Sequence, residues 1–201
     1  MALLAVCWIL LVVTRLSTAA PAISFPINSQ VPPVARVGQP FSFVFSESTF
    51  SSGFVITYSL ANPPGWLSID SGTRRLFGTP GEADISSGDV VGVSVTLVTA
   101  DNTGAVTLDA TLVVSRRSAP GINIAIDHQV PQFGKFSSPS SILTPPDTPF
   151  SFSLAQETFS NPSDQPLNYY TVTDDNTPLR HGSRSIHLRS LSLRELLRLS
   201  P

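Results

Sequence analysis

Few residues of this 201-residue chain have the types and spacing that catalysis requires. A hydrolase pairs a nucleophile with a base, yet between residues 21 and 178 the one histidine is His128, and no Gly-x-Ser-x-Gly turn occurs. We interpret His128 as a surface strand residue. The acidic pairs Asp174–Asp175 and Asp84 with Asp89 could serve a glycosidase, but neighbouring strand residues face opposite ways. The sequence therefore predicts no catalytic residues and no enzyme.

The charge distribution argues against binding of nucleic acid. Twelve basic residues against fourteen acidic ones give a net charge of −2. That balance hides an acidic central part, residues 21–178, with six basic and thirteen acidic side chains, and a basic tail, residues 179–201, with five arginines and one glutamate. Because no basic field extends over the chain, we expect neither nucleic acid nor anionic lipid as its general partner.

The first nineteen residues have the features of a secretory signal peptide. Ala2 to Val13 is an unbroken apolar run, too short to span a bilayer, and Ser17 and Ala19 are the small residues that a signal peptidase accepts. We predict cleavage after Ala19, which removes the single cysteine, Cys7. An alternative for this segment is a buried strand or a short anchor. Without further cysteines, neither a disulfide framework nor a cysteine-ligated zinc site is expected.

Alternating runs after the leader predict an all-β fold. The run Phe41–Phe45 has period two, as have the runs from Val91 to Leu97 and from Val106 to Val114, and a fourth strand is predicted from Phe54 to Leu60. Turn sequences rich in Pro, Gly, Asn and Asp separate these runs. Their spacing is typical of a β-sandwich.

An internal repeat predicts two copies of that sandwich. Residues 39–45, Gln-Pro-Phe-Ser-Phe-Val-Phe, return as residues 148–154, Thr-Pro-Phe-Ser-Phe-Ser-Leu, and Thr49-Phe50 returns at the same offset as Thr158-Phe159. An offset of 109 residues is the size of a sandwich domain and too long for a solenoid repeat. Between the copies, Arg116-Arg117 begins a linker. We interpret this basic pair as a solvated strand end, with a secretory protease site as the alternative.

A motif within the first copy resembles dystroglycan-type cadherin-like domains. It reads Pro-Gly-Trp-Leu-Ser-Ile-Asp, followed by Leu-Phe-Gly-Thr-Pro. The residues that carry the resemblance are Pro64, Trp66, Leu67, Asp70, Phe77, Gly78, Thr79 and Pro80. Trp66 and Leu67 are expected to begin a strand whose indole fills one end of the sandwich core, with a sharp turn at Gly78 and Pro80 beneath it.

The segment from Phe25 to Val37, after the leader, resembles the mature start of fungal axial-budding-pattern, or polarity-establishment, plasma-membrane glycoproteins. The resemblance extends to about Leu179 and implies tandem cadherin-like domains outside the cell. The family has a transmembrane helix further on, and we expect this chain to be truncated before it. It implies a cell-surface cue for polarity and for bud-site or septum placement. The expected partners are other cell-surface or cell-wall proteins or glycans.

Calcium is the one cofactor that the resemblance raises. Cadherins bind Ca²⁺ through acidic motifs at domain junctions, and Ca²⁺ takes six to eight oxygen ligands. Asp101-Asn102 is weakly similar to such a motif, with Asp70 and Asp127 as distant helpers, but the full motifs are absent. We expect weak binding or none, with Asp101 acting as a turn former.

The tail does not continue the second copy. Where Pro-x-Trp is due, Arg180-His181-Gly182 stands instead. Restoring one base after the codon of Leu179 can return Pro-Ser-Trp-Ile and, further on, Gly-Thr-Pro, so we expect a translated frameshift. An arginine- and leucine-rich helix on anionic membrane is the alternative.

These inferences combine into a secreted, non-enzymatic protein with one complete immunoglobulin-like or cadherin-like β-sandwich and part of a second. The expected divisions are a signal peptide (1–19), a complete domain (22–117), a linker with the first strand of the second unit (118–147), a truncated second domain (148–179) and an aberrant basic tail (180–201). Two alternative functions stay open. One is a carbohydrate-binding accessory domain or a fragment of a carbohydrate-active enzyme, and the other is a truncated product with no activity.

Overall fold

The alternating apolar residues form strands that pack as two sheets around a common core. The computed structural model describes residues 20–129, 135–138, 141–143 and 154–160 together with Asn176. The strands are β1 (Ala22–Ile23), β2 (Val34–Arg36), β3 (Phe41–Val44), β4 (Phe50–Ser51), β5 (Thr57–Ala61), β6 (Leu67–Asp70), β7 (Arg75–Gly78), β8 (Val90–Ala100), β9 (Ala105–Ser115), β10 (Gly121–Ile122), β11 (Lys135–Ser138), β12 (Ser141–Leu143) and β13 (Phe159–Ser160). One α-helical turn, Ile126–Gln129, and short 3₁₀ turns at Ile27–Ser29, Glu47–Thr49, Glu82–Asp84 and Gln156–Thr158 complete the described elements.

The larger sheet has the order β2-β9-β8-β5 and the smaller one the order β3-β7-β6. All neighbours are antiparallel except β2 and β9, which run parallel from Val34 opposite Val113 to Arg36 opposite Ser115. The long hairpin of β8 and β9 turns at residues 101–104, because Ala100 pairs with Ala105. Strand β9 therefore runs from this turn to the opposite end, where the chain leaves the domain. We call these two ends the hairpin end and the exit end.

The core lies between the inner faces of the two sheets. Phe43 on the smaller sheet and Leu112 on the larger one are both fully buried, and their strand neighbours Ser42 and Thr111 are exposed, as period-two alternation requires. Burial of a side chain of this size stabilises the fold by about 1.5–3 kcal/mol. The largest core residues are Ile27, Phe41, Phe43, Phe45, Phe50, Leu67, Leu76, Ile85, Leu97, Leu108 and Leu112.

Two local predictions are wrong. The strand expected from Phe54 begins only at Thr57, and the residues before it form an exposed loop in which the backbone N–H of Phe54 donates to Ser52 Oγ, 3.0 Å away. This local turn takes the first part of the apolar run out of the sheet. His128 is exposed as expected, but it lies in the helical turn Ile126–Gln129 and in no strand.

A buried polar cluster recurs in both copies of the repeat. In the first, the Gln30 side-chain amide donates to Thr49 Oγ1 (2.8 Å) and its carbonyl accepts from the Ser46 N–H (2.9 Å). In the second, the Gln129 carbonyl accepts from the Ala155 N–H (2.8 Å) and from Thr158 Oγ1 (3.0 Å). We call this arrangement the polar clasp.

The strands beside each clasp also correspond. Strand β1 pairs with β4, so that Ile23 lies opposite Phe50, and β10 pairs with β13, so that Ile122 lies opposite Phe159. The offset between the copies is 99 residues at Ile23 and 109 at Phe50. The second unit thus has ten more residues between its first strand and its clasp threonine. Its first strand, Gly121–Ile122, lies within residues 118–147, the segment expected to contain the linker and that strand.

Candidate interaction surface

The tryptophan motif closes the exit end of the sandwich. Trp66 lies in the turn before β6, half-buried, and its ring meets that of Phe41 edge-on with the centroids 5.9 Å apart. Gly78 ends β7 with a φ of +154°, and a Cβ there would lie 1.8 Å from the carbonyl oxygen of Trp66. Glycine is therefore the one residue that lets the two backbones approach so closely. Beyond Thr79, the buried Pro80 accepts the Gly38 N–H through its carbonyl at 2.8 Å.

Asp70 belongs to the turn that joins β6 to β7. Its Oδ1 accepts the backbone N–H groups of Gly72 (3.0 Å) and Thr73 (3.3 Å), and its Oδ2 lies 3.8 Å from Arg75 Nη2. Hydrogen bonding from the Thr73 side chain is the largest of the effects that lower the pKa of Asp70. Arg75 also stacks on the Phe77 ring at 4.9 Å. The carboxylate of Asp70 thus stabilises its own turn.

Asp101 organises the hairpin end. Its Oδ1 accepts the Thr103 N–H (2.7 Å), the Thr103 hydroxyl (2.5 Å) and the Gly104 N–H (3.1 Å), and its Oδ2 accepts the Ser52 hydroxyl (2.5 Å). The hydrogen bonds from Ser52 and Thr103 lower the pKa of Asp101 to about 2. The carboxylate therefore joins the loop after β4 to the β8–β9 turn.

The calcium candidates do not form a preassembled cluster. Asn102 is exposed at the tip of the hairpin, and the oxygens of Asp70 and Asp101 are used within their own turns and to Ser52. Among the residues that the structure describes, no three His, Cys, Asp or Glu side chains are grouped to hold a metal ion. Asp127 lies in the short helical turn. Weak or absent calcium binding stays a prediction that titration can test.

The residues first considered for catalysis are separated by their local roles. Asp84 accepts the Gly81 N–H at 2.7 Å inside a 3₁₀ turn, whereas the Asp89 carboxylate lies 3.8 Å from Arg117 Nε. The pair Asp174–Asp175 and the tail lie outside the described residues, as does the predicted signal peptide.

Three exposed apolar side chains lie near the hairpin end. Val55 is 87% exposed and Phe54 41% exposed in the loop that Ser52 ties to Asp101, and Ile23 on the adjacent β1 is 39% exposed. Chain residues near 20 reach the same end, because a Cβ on Gly104 would touch that of Ala20 at 3.1 Å. We call Ile23, Phe54 and Val55 the apolar tip. Sequence reasoning missed it because an apolar run of Phe, Val and Ile indicates a strand, and the one contrary signal is the preceding Ser-Ser-Gly.

On the outer face of the larger sheet, the exposed residues of β5, β8 and β9 mostly carry hydroxyl groups. Thr57, Ser59, Ser94, Thr107 and Thr111 are exposed there, with Asp109 as a charged neighbour. No helix in the described part of the chain is both long and apolar enough to cross a membrane.

The apolar tip differs from this face in chemistry. Its Val55 is the most exposed of the large hydrophobic side chains that the structure describes.

Comparison with known proteins agrees with the fold. Residues 24–115 match the He_PIG family, described as "Putative Ig domain". Axial budding pattern protein 2 of Saccharomyces cerevisiae is 27% identical over 165 residues, which cover 78% of this chain and 20% of that protein. The chain thus spans about a fifth of the length of this curated relative. These matches support the resemblance to the axial-budding family and confirm the immunoglobulin-like all-β fold class.

Two solved structures of endo-fucoidan hydrolases from glycoside hydrolase family 107 are also similar. They are 19% and 21% identical, cover 51% and 54% of this chain and 14% and 18% of those chains, and give TM-scores of 0.36 and 0.35. Scores this low support no conclusion about activity.

Proposed function

We propose that this chain is a non-enzymatic, extracellular module of a fungal cell-surface polarity protein, and the match of residues 24–115 to the He_PIG family of immunoglobulin-like domains supports this proposal. The single observation that carries a binding role is the apolar tip, held in place by the Ser52–Asp101 hydrogen bond of 2.5 Å. A preformed apolar patch costs less ordering entropy on binding than a mobile one. The apolar tip lies at the hairpin end, opposite the end where the chain leaves the domain.

The finer role is placement of the bud site or septum from the cell surface, after export through the secretory pathway. The relation to Axial budding pattern protein 2 supports this role. The partner at the apolar tip is another cell-surface or cell-wall protein, because exposed Phe and Val supply contact area and no polar groups for a sugar. A carbohydrate-binding role has less support, since the described Trp66 and Tyr58 pack against the core and offer no open stacking face.

A domain replacement tests this function. The region of Axial budding pattern protein 2 that matches this chain is replaced by it in yeast, and axial bud placement is scored in cells with equal surface levels of the protein. We expect the native chain to support axial budding and the double variant Phe54→Ser, Val55→Ser to lose it. The matched control is Val44→Ser, since Val44 is 37% exposed but lies on the outer face of β3. Failure of the native chain at normal surface level would refute the polarity role, and normal budding with the double variant would refute the role of the tip.

A further inference from the structure

Both residues of the basic pair Arg116-Arg117 form hydrogen bonds with the rest of the domain, although Arg116 is exposed. Arg116 Nε donates to Glu82 Oε2 at 2.8 Å, and its Nη1 and Nη2 donate to the carbonyls of Gly88 (2.5 Å) and Ile85 (3.3 Å). One guanidinium therefore fastens the loop between β7 and β8 to the end of β9. The backbone N–H of Arg116 adds a hydrogen bond to the carbonyl of Asp89 at 2.8 Å.

Arg117 forms a backbone contact on the opposite edge of β9, the edge that faces β2. Its N–H donates to Ser115 Oγ at 3.0 Å, and its carbonyl oxygen accepts a hydrogen bond from Arg36 Nη1 at 2.6 Å. Arg36 belongs to β2, which pairs with the last residues of β9. Burial lowers the pKa of Arg36, so its guanidinium is partly withdrawn from water at this contact.

A protease specific for paired basic residues cuts after the second one, which here is the bond from Arg117 to Ser118. Endoproteases bind their substrate as an extended segment with side chains in successive pockets, and donors of the enzyme must reach the carbonyl oxygen of the bond that is cut. In this domain, the residues that would enter the pockets include Val114 and Ser115, both with no exposed surface. The carbonyl that would be attacked is already bound by Arg36.

We infer that Arg116-Arg117 is a latent cleavage site, kept closed in the folded domain because its arginines fasten the end of β9 to the β7–β8 loop and to β2. Cleavage after Arg117 then requires this end of β9 to open locally, and its rate follows the population of the open form. The protection is a property of the domain itself. Its relevance in the cell rests on the proposed passage through the secretory pathway.

The chain supplies an internal reference for the test. A second basic pair, Arg74-Arg75, has its second member at the start of the central strand β7 of the smaller sheet, where Arg75 pairs with Val44 of β3 and Asp70 of β6. Cleavage after Arg75 therefore reports opening of the smaller sheet, whereas cleavage after Arg117 reports opening of the exit end. Mass spectrometry distinguishes the two products.

The experiment treats the chain with a serine endoprotease specific for paired basic residues. A peptide of residues 112–122 measures the rate in the absence of the fold. We expect the native chain to be cut after Arg117 at least about 100-fold more slowly than the peptide. Arg36→Gln and Arg116→Lys both keep a basic pair at the site but weaken the contacts, and each is expected to raise the rate after Arg117 about tenfold without raising the rate after Arg75. Glu47→Gln, an exposed acidic position at a distance from the exit end, is the matched control and leaves both rates unchanged.

Two results would overturn the inference. Cleavage of the native chain after Arg117 at the rate of the peptide would mean that the contacts leave the site open. An equal rise after Arg75 and Arg117 in Arg36→Gln and Arg116→Lys would mean that these contacts act on the global stability and do not close the site. Failure of the polarity assay would leave the outcome of this experiment unaffected, because it needs no partner.

Discussion

Replacement of Gly78 by alanine tests the packing of the exit end most directly. An added Cβ would lie 1.8 Å from the Trp66 carbonyl oxygen and 2.9 Å from its carbonyl carbon, where contacts below 3.0 Å are essentially never seen. The backbone must therefore shift by about 1.2 Å, the difference between the oxygen distance and that limit. The φ of +154° adds strain of about 1–3 kcal/mol for any residue with a Cβ.

Overpacking costs a further 1–3 kcal/mol or so, and we therefore expect Gly78→Ala to lower the free energy of unfolding by about 2–6 kcal/mol. For a domain of this size, that corresponds to a fall in Tm of at least about 10 °C. Thermal and urea denaturation followed by circular dichroism measures the change. The matched control is Gly72→Ala, whose Cβ would meet Asp70 Oδ1 at an ordinary 3.5 Å and should change stability by less than about 0.5 kcal/mol. A Gly78→Ala variant as stable as the control would refute this account of the motif.

Three further predictions concern the polar clasp and Asp101. Thr49→Val should lower the free energy of unfolding by about 1–3 kcal/mol in urea denaturation, because it leaves the buried Gln30 amide without its 2.8 Å partner, whereas the exposed Thr107→Val should have little effect. Since the folded pKa of Asp101 is about 2, against an ordinary 3.8, its stabilisation is present above pH about 4 and lost as pH falls from about 4 to about 2. The difference in the free energy of unfolding between the native chain and Asp101→Asn should therefore shrink over that range. A constant difference would contradict the role of the Asp101 carboxylate in joining the loop after β4 to the β8–β9 turn. Calorimetric titration with millimolar Ca²⁺ should give no heat of binding. A Tm that rises with added Ca²⁺ in the native chain but not in Asp101→Asn would show that this turn binds calcium.

The parts of the fold that the sequence predicts are those in which local pattern and tertiary packing agree. The β8–β9 hairpin follows from alternation on both sides of Asp-Asn-Thr-Gly, and its strands run from Val90 to Ala100 and from Ala105 to Ser115. The role of Asp101 as a turn former is read from the same four residues. Here each residue's partner is close in the sequence, so the pattern contains the information.

The polar clasp and the apolar tip were not predicted, because their partners are distant in the sequence. Gln30 is buried through contacts with residues 16 and 19 positions away, and no periodicity marks a polar residue for the core. The tip depends on Ser52 reaching Asp101, 49 positions on, which holds Phe54 and Val55 outside the sheet. Strand propensity alone predicts a strand for Phe and Val. That propensity reflects packing against neighbouring strands, and Phe54 and Val55 lie outside the sheet.

The two ends of the domain differ in how closely their contacts are connected to the two sheets. At the exit end, Gly78 of β7 lies against the Trp66 backbone just before β6. The three side-chain hydrogen bonds of Arg116 join the segment after β9 to the β7–β8 loop, so a change there disturbs the ends of both sheets. At the hairpin end, one carboxylate holds a loop whose apolar side chains contribute little to the core, because Val55 is 87% exposed. Substitutions at the apolar tip should therefore change the proposed binding at little cost in stability.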